Sequence, residues 1–137
     1  SRDYAERVRT MSHNSCGLLA YLSAHPQVEQ VWHSLTEGGA GYALQQRQGE
    51  GHSGMFSFTL KNSASAPAFY DALEVCKGPS LGTDFTLACP YTLLAHYDEL
   101  DWAESCGVSR HLIRVSAGVE PLEELIARFE RALQAAA

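Results

Sequence analysis

The sequence predicts an α+β fold, with one small, mostly antiparallel sheet and helices packed on one of its faces. Apolar residues recur at helical spacing near both ends of the 137-residue chain, and segments with strand-like alternation lie between them. The predicted order is helix, strand, strand, helix, irregular segment, strand, helix, which favours a sheet covered by helices on one side. No repeat or low-complexity linker interrupts this order, so residues 1–137 are predicted to form a single domain.

The first predicted element is a long amphipathic helix from Arg2 to about His25. Its apolar positions share one helix face. Pro26 disfavours helical conformation at the residue before it, so the helix is expected to end there. The apolar positions are Tyr4, Val8, Met11, Leu18, Leu19 and Leu22. Residues 28–33 are predicted to form a short strand. The glycines of 37–41 lack the spacing of a phosphate-binding loop and indicate a turn before a brief helix over 42–48.

Residues 54–61, GMFSFTLK, are the clearest predicted strand. Large apolar residues alternate with small or polar ones, so one face is expected to be buried and the other to meet water. The expected buried set is Phe56, Phe58 and Leu60, and the expected wet set is Ser57, Thr59 and Lys61.

A second helix is predicted to start with Ser65 as the N-cap residue and Pro67 in the first turn. It is expected to continue through Phe69, Leu73 and Val75 to Gly78-Pro79. Residues 80–100 have no clean periodicity and are predicted to be irregular, and residues 100–106 are predicted to be a short helix ending before Gly107.

The last two predicted elements are a strand within HLIRVSAGVE (111–120) and a terminal helix. His111, Leu112, Ile113, Val115 and Val119 suit a half-buried sheet. Pro121 opens the helix, and acidic residues occupy its first turn, where the helix dipole favours them. The apolar stripe of this helix consists of Leu122, Leu125, Ile126, Phe129 and Leu133.

Composition excludes several classes of protein. Hydrophobic residues make up 45% of the chain and charged residues 19%, as in a folded domain with a core. The net charge of −6 and the scattered arginines leave no basic stripe for nucleic acid, which is therefore not an expected partner. No apolar run approaches the roughly 20 residues of a membrane span, and no signal peptide opens the chain. We expect a cytoplasmic protein that does not bind membranes.

The cysteines and histidines predict no metal site. Cys16, Cys76, Cys89 and Cys106 lack the CxxC spacing of zinc ligands, and the six histidines are dispersed. Reduced thiols in a cytosolic protein are the simplest interpretation. The chain also starts directly in a predicted helix without methionine, which indicates either a trimmed protein or part of a longer polypeptide.

Arg114 is the first candidate site residue. A guanidinium within a strand costs several kcal/mol to desolvate unless an anion or good acceptors meet it. Its planar fork suits a carboxylate, which it can bind through two parallel hydrogen bonds. The alternative is an arginine that reaches out to solvent or pairs with an internal Asp or Glu. The strand alone does not decide between the two.

Ser80 is the second candidate, within GPSLGTDFTLACP (78–90). It offers a hydroxyl, and Gly82 permits the backbone to approach a ligand closely. An ordinary loop serine beside a turn glycine is the alternative.

These segments together resemble a known family. SLG at 80–82, Pro90, His96, IRVSAGVE at 113–120 and EEL at 123–125 stand in the order seen in the C-terminal domain of the pyridoxal-phosphate-dependent (PLP-dependent) enzymes of cysteine and methionine metabolism. These enzymes include the cystathionine synthases and lyases. Three upstream stretches, at 23–33, 54–61 and 68–73, also look like counterparts. The resemblance implies the small domain of an aspartate-aminotransferase-type fold.

The resemblance implies roles for both candidates. The arginine of the I-R-hydrophobic-S-x-G strand, here Arg114, would bind the α-carboxylate of an amino-acid substrate, with Ser80 beside it. The cofactor, pyridoxal phosphate, and its Schiff-base lysine would belong to an N-terminal domain that is absent from this chain. Lys61 and Lys77 have no family role, so the chain alone is expected to bind no cofactor, to hold no catalytic residue and to be inert.

One variation narrows the resemblance. The family commonly has SLGG, then ESL and a PASMTH-like run, whereas this chain has SLGTDFTLACPYTLLAH and Ser116-Ala117-Gly118 in place of Ser-Val-Gly. This variant looks most like the fungal cystathionine γ-synthases. It implies γ-replacement on an O-activated homoserine by cysteine, with lyase or sulfhydrylase chemistry as the near alternative.

A different class of function stays open. The chain could be a freestanding domain that binds an amino acid or mediates assembly without catalysis. We expect a homo-oligomer. A domain separated from its parent is also expected to self-associate, because it exposes apolar surface. Residues 85–97 and the first helix are the expected apolar surfaces.

Overall fold

The computed structural model describes residues 2–33 and 54–137, and we number the elements within them in chain order. The turn predicted at 37–41 and the helix predicted at 42–48 lie outside these residues. The helices are α1 (Arg2–Ser23), α2 (Ala66–Ala72), α3 (Tyr91–Ala95), α4 (Leu100–Ser105) and α5 (Leu122–Ala136), with 3-10 turns at Ser63–Ser65 and Tyr97–Glu99. The strands are β1 (Val28–Trp32), β2 (Met55–Leu60), β3 (Cys76–Lys77), β4 (Leu87–Pro90) and β5 (Ile113–Ser116).

The five described strands form one sheet in the order β1-β2-β5-β4-β3. Three neighbouring pairs are antiparallel, and β3 pairs with β4 in parallel. In the register of the central strands, Arg114 on β5 lies opposite Ser57 on β2 and Cys89 on β4. The predicted mostly antiparallel sheet is confirmed.

One face of the sheet carries the hydrophobic core. Phe58 of β2, Phe69 of α2 and Phe129 of α5 are fully buried, and the ring centroid of Phe58 lies 5.5 Å from that of Phe69 and 6.4 Å from that of Phe129. Leu18 and Leu22 bring α1 into the same cluster. Helices α1, α2 and α5 therefore pack on one face of the sheet, as predicted.

The predicted apolar stripe of α1 begins later than expected. Tyr4 is 61% exposed, although the spacing placed it with the buried residues. Met11, Leu18 and Leu22 are buried, so packing against the sheet starts about two turns into the helix. The Tyr4 ring instead lies 5.9 Å from the guanidinium carbon of Arg7.

The second helix is shorter than predicted. It ends at Ala72, because Leu73 turns to an extended conformation and is itself buried. The chain then runs beside β4, where the amide of Cys76 donates to Thr86 O at 3.2 Å and forms the short strand β3. Ser65 occupies the predicted N-cap position without making a side-chain cap, since its hydroxyl donates to Asn62 O at 2.7 Å.

Three further expectations about strands were wrong. The segment predicted to be irregular contains β4, α3 and a 3-10 turn. The strand predicted within 111–120 ends at Ser116, and Val119 lies beyond it, 38% exposed. Thr59 was expected to face water, but it is only 7% exposed.

Two general findings bear on function. No helix within the described ranges is long and apolar enough to cross a membrane. The same ranges contain no group of three or more His, Cys, Asp and Glu side chains that could hold a metal ion.

Candidate functional site

Arg114 lies on the face of the sheet opposite the core. Successive residues of a strand point to opposite faces, so Ile113 and Val115 enter the core while Arg114 and Ser116 face the other way. Arg114 is half-buried, with Ser57 and Cys89 as its neighbours across the strands. The strand can therefore carry a cation without placing it in the apolar cluster.

Two contacts orient the Arg114 guanidinium. Its Nη2 donates a hydrogen bond to the carbonyl of Pro79. Its central carbon lies 5.5 Å from the centroid of the Tyr91 ring, within the range of a cation–π contact. Tyr91 starts α3 directly after β4, so the sheet itself places this ring beside Arg114. Neither contact neutralises the positive charge.

Arg114 has no acidic partner among the described residues, in contrast to several other arginines. Arg7 pairs with Asp84, Arg110 with Asp101 and Glu104, Arg128 with Glu120 and Glu124, and Arg131 with Glu74. The hydrogen bond from Arg110 holds the pKa of Glu104 below its usual range. Of the alternatives to anion binding by Arg114, pairing with an internal Asp or Glu is thus not found in this part of the chain. The positive charge remains available to an external anion.

The structure brings the segment that carries Ser80 to Arg114. The carbonyl that accepts the Arg114 hydrogen bond belongs to the Pro79–Ser80 peptide group, and Ser80 is exposed. Gly82 has a φ of +74°, a conformation that favours glycine. Its amide donates to Ser116 Oγ at 3.1 Å, which attaches the segment to β5. Both predicted site residues therefore belong to one region of the molecule.

Three residues of this region were not predicted as site residues. Cys89 is buried beside Arg114, and burial raises the pKa of its thiol while the Arg114 charge opposes that rise. The Tyr91 ring lies beside the Arg114 guanidinium, and Ser116 Oγ accepts a hydrogen bond from the Gly82 amide. The only sequence signal for Tyr91 was its place in the run PYTLLAH, where this chain departs from the commoner family pattern.

Neither lysine of the chain has a described contact with Arg114 or with the segment that carries Ser80. Lys61 is exposed just after β2. The Lys77 amine donates to Leu73 O at 2.6 Å and lies 5.1 Å from the Tyr70 ring centroid. Tyr70 packs against the core on the helix-covered side. The contacts of Lys77 therefore lie on the helix-covered side of the sheet, whereas Arg114 lies on the opposite face.

Comparison with known proteins gives consistent matches. The sequence pattern of the Cys/Met metabolism PLP-dependent enzymes matches residues 4–134. Cystathionine gamma-synthase of Neurospora crassa is 46% identical over 99% of this chain and 22% of its own length. The enzyme of the same name from Saccharomyces cerevisiae is 39% identical, again over 99% of this chain and 22% of its own length.

Solved structures agree with these sequence matches. The cystathionine gamma synthase of Xanthomonas oryzae pv. oryzae, in complex with cystathionine, superposes with a TM-score of 0.83 at 29% identity. The cystathionine gamma-lyase of Lactobacillus plantarum, complexed with L-serine, gives a TM-score of 0.84 at 26% identity. Each match covers 96% of this chain and 35% of the solved chain.

The chain thus spans about a fifth of the length of the curated relatives and about a third of the solved chains. The match nevertheless extends over almost the whole chain, and sequence and fold point to the same group of enzymes. The resemblance inferred from the SLG and IRVSAGVE segments is confirmed. The chain belongs to the family of Cys/Met metabolism PLP-dependent enzymes.

Proposed function

We propose that this chain is the C-terminal, substrate-side domain of a PLP-dependent enzyme and that it binds the α-carboxylate of an amino-acid substrate. One observation carries the proposal. Arg114 lies on the sheet face opposite the core, oriented by Pro79 and Tyr91, and no described Asp or Glu neutralises it. A permanent cation of this kind suits a carboxylate ligand.

Each residue of the region has a distinct part in binding. The guanidinium of Arg114 donates two parallel hydrogen bonds to the carboxylate oxygens. Ser80 offers a further donor from its exposed hydroxyl, one residue from the carbonyl that Arg114 contacts. Tyr91 supports the guanidinium through its ring face and excludes water from that side. Together they hold the amino acid in one orientation, which accelerates the reaction that follows.

We propose that the described residues do not hold pyridoxal phosphate on their own. A Schiff base needs an amine beside the bound substrate, and neither Lys61 nor Lys77 contacts the Arg114 region. We therefore propose that the cofactor is held by other parts of the complete enzyme, and that this chain contributes substrate binding and orientation.

The finer proposal concerns the reaction. The identity to the Neurospora crassa and Saccharomyces cerevisiae enzymes supports a cystathionine γ-synthase-type reaction, in which cysteine replaces the γ-substituent of an O-activated homoserine. The likeness to the Lactobacillus plantarum gamma-lyase keeps lyase chemistry, with sulfhydrylase chemistry, as the near alternatives.

The first prediction concerns the isolated chain. Without a suitably placed amine it is expected to form no cystathionine from O-activated homoserine and cysteine, even with added pyridoxal phosphate. Turnover by the isolated chain would contradict the proposal, as would a preceding polypeptide without a Schiff-base lysine.

The exposed apolar side chains of Leu81, Phe85 and Tyr97 lead us to expect that the isolated chain self-associates, as measured by light scattering over a concentration series.

The second prediction tests carboxylate binding directly. Arg114→Ala is expected to weaken cystathionine binding by the complete enzyme about 30-fold, because charge-assisted hydrogen bonds contribute roughly 2 kcal/mol. Isothermal titration calorimetry gives the dissociation constant. Arg110→Ala is the matched control, since it removes an arginine whose partners are Asp101 and Glu104, and it is expected to leave affinity unchanged.

The same titration separates the other class of function. A freestanding amino-acid-binding domain predicts that the isolated chain binds cystathionine or methionine and that Arg114→Ala abolishes this binding. A pure assembly domain predicts oligomers that do not respond to the substitution. Equal affinity of Arg114→Ala and the parent enzyme would overturn the assignment of Arg114.

A further inference from the structure

We propose that the Glu120 carboxylate is a positioning group that fixes residues 79–86, which we call the Ser80 loop, against the end of β5. Through this loop it sets where Ser80 stands relative to Arg114. The inference rests on the proposed function for its effect on substrate, whereas its structural part rests on the contacts alone.

Glu120 accepts three hydrogen bonds from one residue of the loop. The amide of Thr86 lies 3.1 Å from Oε1 and 2.9 Å from Oε2, and the Thr86 hydroxyl donates to Oε1 at 2.8 Å. Thr86 is fully buried, and the Glu120 side chain is 19% exposed. A carboxylate offers two acceptor oxygens to these donors, whereas a carboxamide offers only one.

The Thr86 hydroxyl also binds the chain segment that leads to Glu120. Its oxygen accepts a hydrogen bond from the amide of Gly118 at 2.9 Å. The neighbouring amide of Val119 donates to Asp84 O at 2.7 Å. The loop and the segment after β5 are thus joined by both side-chain and main-chain bonds, all of which lie at the C-terminal end of the Ser80 loop.

Asn14 of α1 holds the Glu120 side of this network in place. It is 2% exposed, and its Nδ2 donates to Gly118 O at 2.9 Å and to Glu120 O at 2.7 Å. Because α1 packs in the core, the backbone that carries the carboxylate is anchored to the body of the domain. Glu120 can therefore act as a fixed point for the loop.

The N-terminal part of the Ser80 loop is held separately. Arg114 donates to the Pro79 carbonyl, and Ser116 Oγ accepts from the Gly82 amide at 3.1 Å. Ser80 lies between these two contacts, both of which β5 provides. Glu120 restrains the other end of the loop. Loss of the carboxylate removes three of the hydrogen bonds that hold that end. The exposed middle of the loop then has weaker contacts to keep Ser80 beside Arg114.

The test compares variants of the complete enzyme that contains this chain. Glu120→Ala removes the acceptor, and Glu120→Gln restores one acceptor oxygen as a conservative rescue. Thr86→Val removes the bridging hydroxyl at nearly constant shape, and Thr86→Ser retains it. Glu123→Ala is the matched control, because Glu123 is an exposed carboxylate on the adjoining first turn of α5.

The first readout is hydrogen exchange of the loop amides under conditions where every variant is folded. Exchange over 80–86 is expected to become about tenfold faster in Glu120→Ala and Thr86→Val. Amides in the middle of α5 should keep the parent rate, which distinguishes local release from global destabilisation. Thr86→Ser and Glu123→Ala should match the parent, and Glu120→Gln should fall between.

The second readout is the dissociation constant for cystathionine, expected to rise about tenfold in the same two variants. Unchanged exchange in both variants would overturn the positioning role, and so would faster exchange with unchanged affinity. If the parent enzyme binds no amino acid, the proposed function fails, while the exchange result still decides whether Glu120 fixes the loop.

Discussion

Phe129→Ala is expected to lower the free energy of unfolding by about 4 kcal/mol, because it removes a buried aromatic side chain and leaves a cavity. Phe129 is fully buried on α5, and its ring centroid lies 6.0 Å from that of Phe69 and 6.4 Å from that of Phe58. The substitution therefore weakens the contact of α5 with both α2 and β2. For a domain whose total stability is about 5–15 kcal/mol, this is a large fraction.

Urea denaturation followed by circular dichroism measures this effect. Tyr97→Ala is the control, because it removes an aromatic ring that is 75% exposed and is expected to change stability by no more than about 0.5 kcal/mol. A loss for Phe129→Ala below about 1 kcal/mol would show that the three phenylalanines do not form the core as described.

Gly118→Ala is the second substitution with a large expected effect, about 3 kcal/mol of destabilisation. A Cβ at this position would lie 2.3 Å from Asp84 O and 2.5 Å from Phe85 C, both of which are backbone atoms. Because Gly118 does not have a positive φ, the cost is steric rather than conformational. The substitution should push the Ser80 loop away from the end of β5.

Gly54→Ala is the matched control for Gly118→Ala. Its Cβ would come no closer than 3.3 Å to another atom, the Cβ of Met11, so only a small shift is needed. Thermal unfolding of both variants measures the difference. Equal stability of the two variants would mean that the loop does not approach Gly118 closely.

The sequence predicted those elements whose two sides meet different surroundings. β2 alternates because Phe56 and Phe58 enter the core while Ser57 faces the other side. The apolar stripe of α5 is clear because only one side of that helix is buried. β4 shows no such alternation, since Leu87, Ala88 and Cys89 are all buried, and its pattern was therefore not recognised. The two-residue strand β3 is too short to have a period.

The candidate site was predicted in part for a similar reason. Arg114 was predicted because a cation within an apolar strand is unusual. Ser80 was predicted because its segment resembles the SLG segment of a family. Glu120 and Ser116 lie within the IRVSAGVE segment that carries the same resemblance, but the sequence does not indicate what they contact. Their roles depend on contacts with Thr86 and Gly82, each 34 residues away in sequence, and only the folded chain brings them together.

The alternation of β5 has an evolutionary consequence. Ile113 and Val115 belong to the scaffold, whereas Arg114 and its cross-strand neighbours Ser57 and Cys89 belong to the opposite surface. Selection for a new chemical preference can therefore act on one side of a strand while the other side preserves the architecture. The Lactobacillus plantarum structure has the same fold at 26% identity with this chain.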